Sequence, residues 1–228
     1  MDLVVQPTAA RNKRLFVADM DSTMITVECI DELADFAGLK PEVAAITERA
    51  MRGDLPFAEA LAARVALLEG LTLEQLDECR RTRVSLSPGA RTLVRTLRAH
   101  GVSCLLVSGG FTVFAQPVAD ELGFEDLVAN VLEIQGGRLT GRVLGPIVDG
   151  AVKRAELIRA REALGLKADE VLAIGDGAND LPMIREAGLG VAYRAKPVLA
   201  KAADAHVRHP DLSALLWALG IPRAEWVD

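Results

Sequence analysis

Residues 88–219 alternate short apolar runs with helix-length segments that stop at glycine, and few folds accommodate such a chain. Pro88 to His100 reads as a helix closed by Gly101, and Val102 to Val107 as a buried strand. Phe111 to Leu122 reads as a helix stopped by Gly123. Strands at 127–134 and 138–144 flank a hairpin turn at Gln135-Gly136-Gly137. Lys153 to Leu164 is a helix ending at Gly165, Glu170 to Ile174 a buried strand, and Asp180 to Ala187 a helix ending at Gly188. Leu189 to Ala192 and Ala205 to Val207 are short strands, and Leu212 to Leu219 a last helix. Upstream, Leu15 to Ala18 is one more apolar run. Repeated strand–helix units predict an α/β fold with a Rossmann-like, mostly parallel sheet, helices on both faces and right-handed crossovers.

Residues 28–84 break the alternation. Asp31 to Ala37 fits a short helix, Pro41 starts another whose stop is Gly53, and Pro56 starts a third whose stop is Gly70. Thr72 with Gln75 reads as a capping box for a fourth, through about Arg81. No strand is expected here. The stretch reads as a small helical-bundle cap, residues 28–84, inserted after the first strand of a core made of residues 1–27 and 85–228. Residues 1–13 fit an extra strand or a frayed end.

In an open parallel sheet the strand ends share one edge, where ligands bind. The run Leu15 to Ala18 ends in Asp19 and Asp21. Two carboxylates this close do not both ionise without a cation or a shared proton, so the pair points to a metal site, an acid/base pair, or both. The plainer alternative is that Asp19 and Thr23 cap a helix. Leu105 to Phe111 ends a strand in Ser108, Gly109 and Gly110; glycines admit a close backbone approach, and free N–H groups at a helix start favour an anion. Taken alone, a tight turn with Ser108 as N-cap fits as well. Lys153 lies near a helix N-terminus, against the dipole, which hints at service to an anion such as phosphate; a solvated lysine is the alternative. Ile174 to Asp180 ends a buried strand in Asp176, Asn179 and Asp180, hard oxygen donors of the kind Mg²⁺ takes. A glycine-rich turn there explains one acid but not two. Asp19, Asp21, Asp176 and Asp180 gather up to four negative charges, which Mg²⁺ and Lys153 would largely offset while holding a phosphoryl group.

Composition narrows the class. Hydrophobic residues make up 50% and charged residues 25% of the 228, as a packed core requires. The net charge of −6 argues against a nucleic-acid partner. No run reaches the roughly 18 apolar residues of a membrane span, and Met1 to Lys13, with Asp2 and a short Leu3-Val4-Val5 run, lacks the pattern of a signal peptide. Cys29, Cys79 and Cys104 are odd in number and form no C-x-x-C pair, which predicts reduced, buried thiols in a cytoplasmic protein. His206 and His209, with Pro210 following and no cysteine nearby, read as loop or surface residues rather than a metal pair.

The four motifs, Asp19-Met20-Asp21-Ser22-Thr23, Ser108-Gly109, Lys153 and Gly175-Asp176-Gly177-Ala178-Asn179-Asp180, resemble in kind and order those of the haloacid dehalogenase-like superfamily of aspartate-nucleophile phosphatases, over nearly the whole chain. Glu28-Cys29-Ile30-Asp31, the stretch from Met51 to Phe57, and Arg64 are similar to its phosphoserine-hydrolysing branch. The resemblance implies Mg²⁺-dependent hydrolysis of O-phosphoserine to serine and phosphate, the last step of serine biosynthesis. It implies that Asp19 is the nucleophile and forms an aspartyl-phosphate, and that Asp21 protonates the leaving alkoxide and then activates water. Mg²⁺ would be held by Asp19, the backbone carbonyl of Asp21, and Asp176, with Asp180 in support. Ser108, Gly109, Lys153 and Asn179 would bind phosphoryl oxygens or substrate. The substrate reading also has support from the residues themselves. Phe57 and Arg64 are seven apart and share a helix face; Arg64 can grip a carboxylate bidentately, and Glu28 can take an ammonium. Solvated surface charges are the alternative for both. The expected partner is a small phosphorylated amino acid, with no membrane and no nucleic acid, on a monomer or homodimer. Many relatives carry an N-terminal regulatory domain, for which residues 1–13 leave no room.

Overall fold

The computed structural model describes every residue except Met1, Leu3, Val5, Arg52, Gly53 and Pro210, and every other side chain except those of Ala9, Ala10 and Met51. The helix stop assigned to Gly53 and the Leu3-Val4-Val5 run therefore lie wholly or partly outside the described residues. Strand β1 (Leu15–Ala18) is followed by four helices, α1 (Cys29–Phe36), α2 (Lys40–Met51), α3 (Phe57–Ala66) and α4 (Leu73–Arg83). Then come α5 (Ala90–Ala99), β2 (Ser103–Phe111), α6 (Thr112–Leu122), β3 (Asp126–Gln135) and β4 (Arg138–Leu144). The chain continues through α7 (Gly150–Ala163), β5 (Val171–Gly175), α8 (Leu181–Glu186) and β6 (Leu189–Tyr193). It ends with α9 (Pro197–Ala200), β7 (Ala205–Val207) and α10 (Ala214–Leu219).

The seven strands form one sheet in the order β4-β3-β2-β1-β5-β6-β7, parallel except for the β3–β4 hairpin. β1 is central and buried along its whole length, which explains why its four residues are all apolar rather than alternating. Its side chains divide by the strand period: Phe16 and Ala18 join the apolar cluster on one face, Leu15 and Val17 that on the other. The chain runs outward from β1 to β2 and β3, then returns to β5 on the other side, so the reversal of strand order falls at β1. That is where an open α/β sheet leaves a crevice at its strand ends.

Thr72 and Gln75 form the expected capping box at the start of α4, with Gln75 N donating to Thr72 Oγ1 at 3.2 Å and Thr72 N to Gln75 Oε1 at 3.0 Å. The α3–α4 connection pairs with the β3–β4 hairpin: Gly70 N donates to Leu139 O at 2.9 Å, Leu139 N to Leu71 O at 2.9 Å, and Leu73 N to Gly137 O at 3.1 Å. The helices between β1 and β2 are thus tied by backbone bonds to the sheet's antiparallel edge.

Four details differ from the sequence expectation. β2 continues to Phe111, and α6 begins only at Thr112. Helix α7 begins at Gly150, capped by Asp149, whose Oδ1 accepts from Ala151 N and Val152 N. Gly70, Gly101, Gly123 and Gly165 take the left-handed φ of helix stops, but Gly188 does not; a Cβ there would come within 2.4 Å of Ala168 O, so close packing explains that glycine. His206 lies in β7 rather than a loop, while His209 is exposed. Among the described residues, no helix is long and apolar enough to cross a membrane.

Candidate active site

The strand register places the acids. β1 pairs with β5 from Leu15 opposite Val171 to Ala18 opposite Ile174, so Asp19 leaves β1 level with Gly175 and Asp176 follows one residue later on the neighbouring strand. Asp19, Asp176 and Asp180 are buried, and each offers a carboxylate oxygen within 4.8 Å of the others. Lys153 lies beneath them with no exposed surface, its Nζ 2.8 Å from Asp19 Oδ2 and 2.7 Å from Asp180 Oδ1. The solvated-lysine alternative is therefore excluded. The other Asp180 oxygen, Oδ2, accepts from Asp176 N at 3.1 Å and Gly177 N at 3.0 Å, closing the turn that presents Asp176.

Charge in this cluster is unbalanced. Burial, reinforced by Asp180, pushes Asp19 well above the usual carboxylate range. Burial raises Asp176 to about 6. Burial and then Glu28 raise Asp21 to about 7. Burial alone would lower Lys153, but Asp180 and Asp19 outweigh it and hold the ammonium above its ordinary value. Three hard carboxylate oxygens converging with one ammonium suit a small divalent cation. One Asp21 oxygen, Oδ1, is shielded from solvent without any hydrogen bond. The donor set and the surplus of carboxylates fit Mg²⁺.

Beyond β1 the chain does not enter a regular helix. Asp21 is extended, Ser22 has a left-handed φ of +54°, and Ile25 N closes the loop on Met20 O at 3.0 Å. Asp19 Oδ1 accepts from Met20 N at 2.7 Å and Thr23 Oγ1 has no partner, so the pair does not work as a helix cap. Ser22 Oγ donates to Glu28 Oε1 at 2.7 Å, which orients Glu28 at the head of α1.

The alternative in which Ser108 serves as an N-cap does not hold either. Phe111 occupies the N-cap position of α6, and Ser108 Oγ instead accepts from Gly110 N at 2.9 Å. Gly110 sits at a close approach: a Cβ would stand 3.0 Å from Asp21 Oδ2 and from the Met20 methyl, tighter than ordinary contact. A Cβ on Gly109 would stand 3.6 Å from the Phe57 ring and 3.9 Å from Asn179 Nδ2, so the β2 end, the helical insert and the β5 turn meet at this point.

Asp19, Asp21, Glu28, Phe57, Arg64, Ser108, Gly109, Asp176 and Asn179 line a single cleft of about 720 Å³. Lys153 and Asp180 are the two expected site residues outside its lining, packed under its floor. Phe57 and Arg64 share the cleft-facing side of α3, as their spacing predicts. Arg64 Nε donates to Ala60 O at 3.3 Å and Nη1 to Thr47 Oγ1 at 3.5 Å.

Three residues near the cleft escaped the sequence reading. Lys196 follows β6, lines the cleft, and has its Nζ 3.6 Å from Asp176 Oδ2. Asp31, read from the sequence within the Glu28–Asp31 resemblance and given no role of its own, lines the cleft three residues beyond Glu28; the i, i+3 spacing was a legible signal. Asn130 lies within β3 and is buried beside Gly109, a placement no local pattern reveals.

A family profile for haloacid dehalogenase-like hydrolases matches residues 16–185. Over 217 residues the chain is 48% identical to phosphoserine phosphatase SerB2 of Mycobacterium tuberculosis, covering 95% of this chain and 53% of that protein. It is 49% identical over 208 residues to a phosphoserine phosphatase of Polaromonas sp., covering 89% and 88% of the two. The chain thus spans about half the length of the first relative and most of the second. Among solved structures it is similar to a phospho-aspartyl intermediate analogue of phosphoserine phosphatase, with a TM-score of 0.84, 36% identity, and coverage of 91% of this chain and 99% of that one. A substrate-bound phosphoserine phosphatase complex gives a TM-score of 0.84 at 35% identity, covering 90% and 98%.

Proposed function

The chain belongs to the haloacid dehalogenase-like hydrolase family, and on that premise we propose that it is a Mg²⁺-dependent phosphomonoesterase that hydrolyses O-phosphoserine to serine and phosphate, closing serine biosynthesis in the cytoplasm. The observation that carries the reading is that one cleft is lined by the Asp19 and Asp21 pair together with Glu28 and Arg64, an anion and a cation suited to the two charged groups of an amino acid. The names of the relatives point to the same substrate.

Asp19 attacks phosphorus, its carboxylate oxygen forms the new P–O bond, and the ester P–O bond breaks. Asp21 gives its proton to the departing serine oxygen; its raised pKa keeps that proton available near neutrality. Asp21 then takes a proton from the water that attacks the aspartyl-phosphate, which frees phosphate and restores Asp19. Asp19, Asp176 and the Asp21 backbone carbonyl, with Asp180 in support, would hold Mg²⁺, which would supply charge neutralisation for the phosphoryl oxygens. Lys153 fixes the Asp19 and Asp180 carboxylates from below. Ser108, Gly109 and Asn179 hold phosphoryl oxygens, Glu28 takes the substrate ammonium and Arg64 its carboxylate. Residues 28–84 act as a cap over residues 1–27 and 85–228, and Phe57 lies against Gly109 where they meet.

The deciding experiment is phosphate release from phosphoserine, phosphothreonine, a sugar phosphate and an aryl phosphate, with and without a chelator. Release from phosphoserine above the others, abolished by chelation, is expected. Chelator-sensitive release without preference would remove the substrate assignment, and no release at all would remove the phosphatase reading.

A further inference from the structure

The phosphate-facing end of β2 is a bulge. Val107 pairs with Val128 and Phe111 with Asn130, so β2 advances four residues while β3 advances two. Ser108, Gly109 and Gly110 swing out of the ladder, which leaves their backbone groups to find other partners. Asn130 meets that need from the opposite strand. Its Nδ2 donates to Gly109 O at 2.8 Å, and its Oδ1 accepts from Val148 N at 2.9 Å. Both partners are backbone groups of fixed polarity, so the amide fits only one way round. The residue is 1% exposed.

The peptide between Gly109 and Gly110 is therefore held at both ends. Asn130 takes its carbonyl, and Ser108 Oγ accepts its N–H at 2.9 Å. A hydroxyl that accepts on one side has its own proton left to give elsewhere, and Ser108 lines the cleft. Through Val148, the same amide braces the segment that leads to the Asp149 cap of α7 and on to Lys153.

We propose that Asn130 is a positioning residue for phosphoryl transfer: by pinning the Gly109–Gly110 peptide it turns the Ser108 hydroxyl proton toward the phosphoryl group. This rests on the phosphatase reading above. The test is a double-mutant cycle of Asn130→Ala and Ser108→Ala, read as kcat/KM for phosphoserine with Mg²⁺. Asn130→Ala lowers kcat/KM about tenfold to a hundredfold, the size of a lost buried hydrogen bond. In the Ser108→Ala background the same change costs less than about twofold, because the two residues act as one unit. A mere loss of folded protein would multiply through both backgrounds equally, and equal factors overturn the proposal. Asn130→Asp, nearly the same shape, covers the case in which the alanine variant does not fold. It keeps the acceptor for Val148 N but sets an oxygen against Gly109 O, so it loses activity in the parent background and little more when Ser108 is already alanine. Parent-like activity of Asn130→Asp would assign the residue to the Val148 brace alone and overturn the proposal. Absence of turnover by the parent protein sinks the phosphatase reading and this inference with it; turnover with additive losses sinks the inference only.

Discussion

At the scale of single residues the site is a problem of buried charge. Lys153 is the buried counter-ion of both Asp19 and Asp180. Lys153→Met leaves two carboxylates facing each other without it, and removing one partner of a buried ion pair costs about 3–5 kcal/mol. Urea unfolding in the presence of a chelator reads this directly; an unchanged midpoint would mean the ammonium is not holding the cluster. Asp19→Asn keeps the shape but removes the attacking carboxylate, so phosphate release falls to background under conditions where Mg²⁺ is saturating. Retained turnover would end the aspartyl-phosphate mechanism. Arg64→Ala raises KM for phosphoserine about tenfold to a hundredfold, the worth of a charged hydrogen bond, while an aryl phosphate without a carboxylate is spared. Equal losses on both substrates would show that Arg64 does not read the carboxylate.

At the scale of elements, close packing and register matter more than propensity. The turn before β6 runs against the backbone of the turn before β5, and a Cβ at Gly188 would meet Ala168 O and Asp169 Cα, both at 2.4 Å. Backbone cannot swing aside as a long side chain does, so Gly188→Ala is expected to cost about 1–3 kcal/mol of overpacking strain. Thermal melting checks this, and a melting point equal to the parent's would contradict it. The β2 bulge belongs to the same scale. The apolar run ending at Val107 was legible as a strand, but its continuation through Ser108-Gly109-Gly110 to Phe111 was not, because three small residues carry no strand period. The capping box of α4 was legible because all its partners lie within four residues.

Over the whole molecule the helical insert and the strand-end loops form the two lips of one cleft, with Ala50 on α2 and Val198 on α9 among its lining. Closure over substrate would exclude water from the phosphoryl group. A thiol-reactive cross-linker joining Ala50→Cys to Val198→Cys is therefore expected to abolish turnover, and cleaving the linker to restore it. Normal turnover in the linked protein would show that no opening is needed. The three native cysteines are buried and do not compete: burial pushes Cys79 up to about 11 and Cys104 up to about 12, and raises Cys29 well above its ordinary value.

The strand–helix order, the parallel sheet, and the delivery of Asp19, Asp21, Ser108 and Asp176 to one edge were legible in the residues alone. Each of those follows from a short apolar run and the residues directly after it, and such local patterns survive without knowledge of the neighbours. The full burial of Lys153 between Asp19 and Asp180, residues 134 and 27 positions away, comes from the folded arrangement and from no local pattern. That arrangement alone brought Lys196 to Asp176, and Asn130 to the carbonyl of Gly109. Those placements depend on which strands become neighbours and on a bulge that shifts their register, and neither is encoded within the span of a single element.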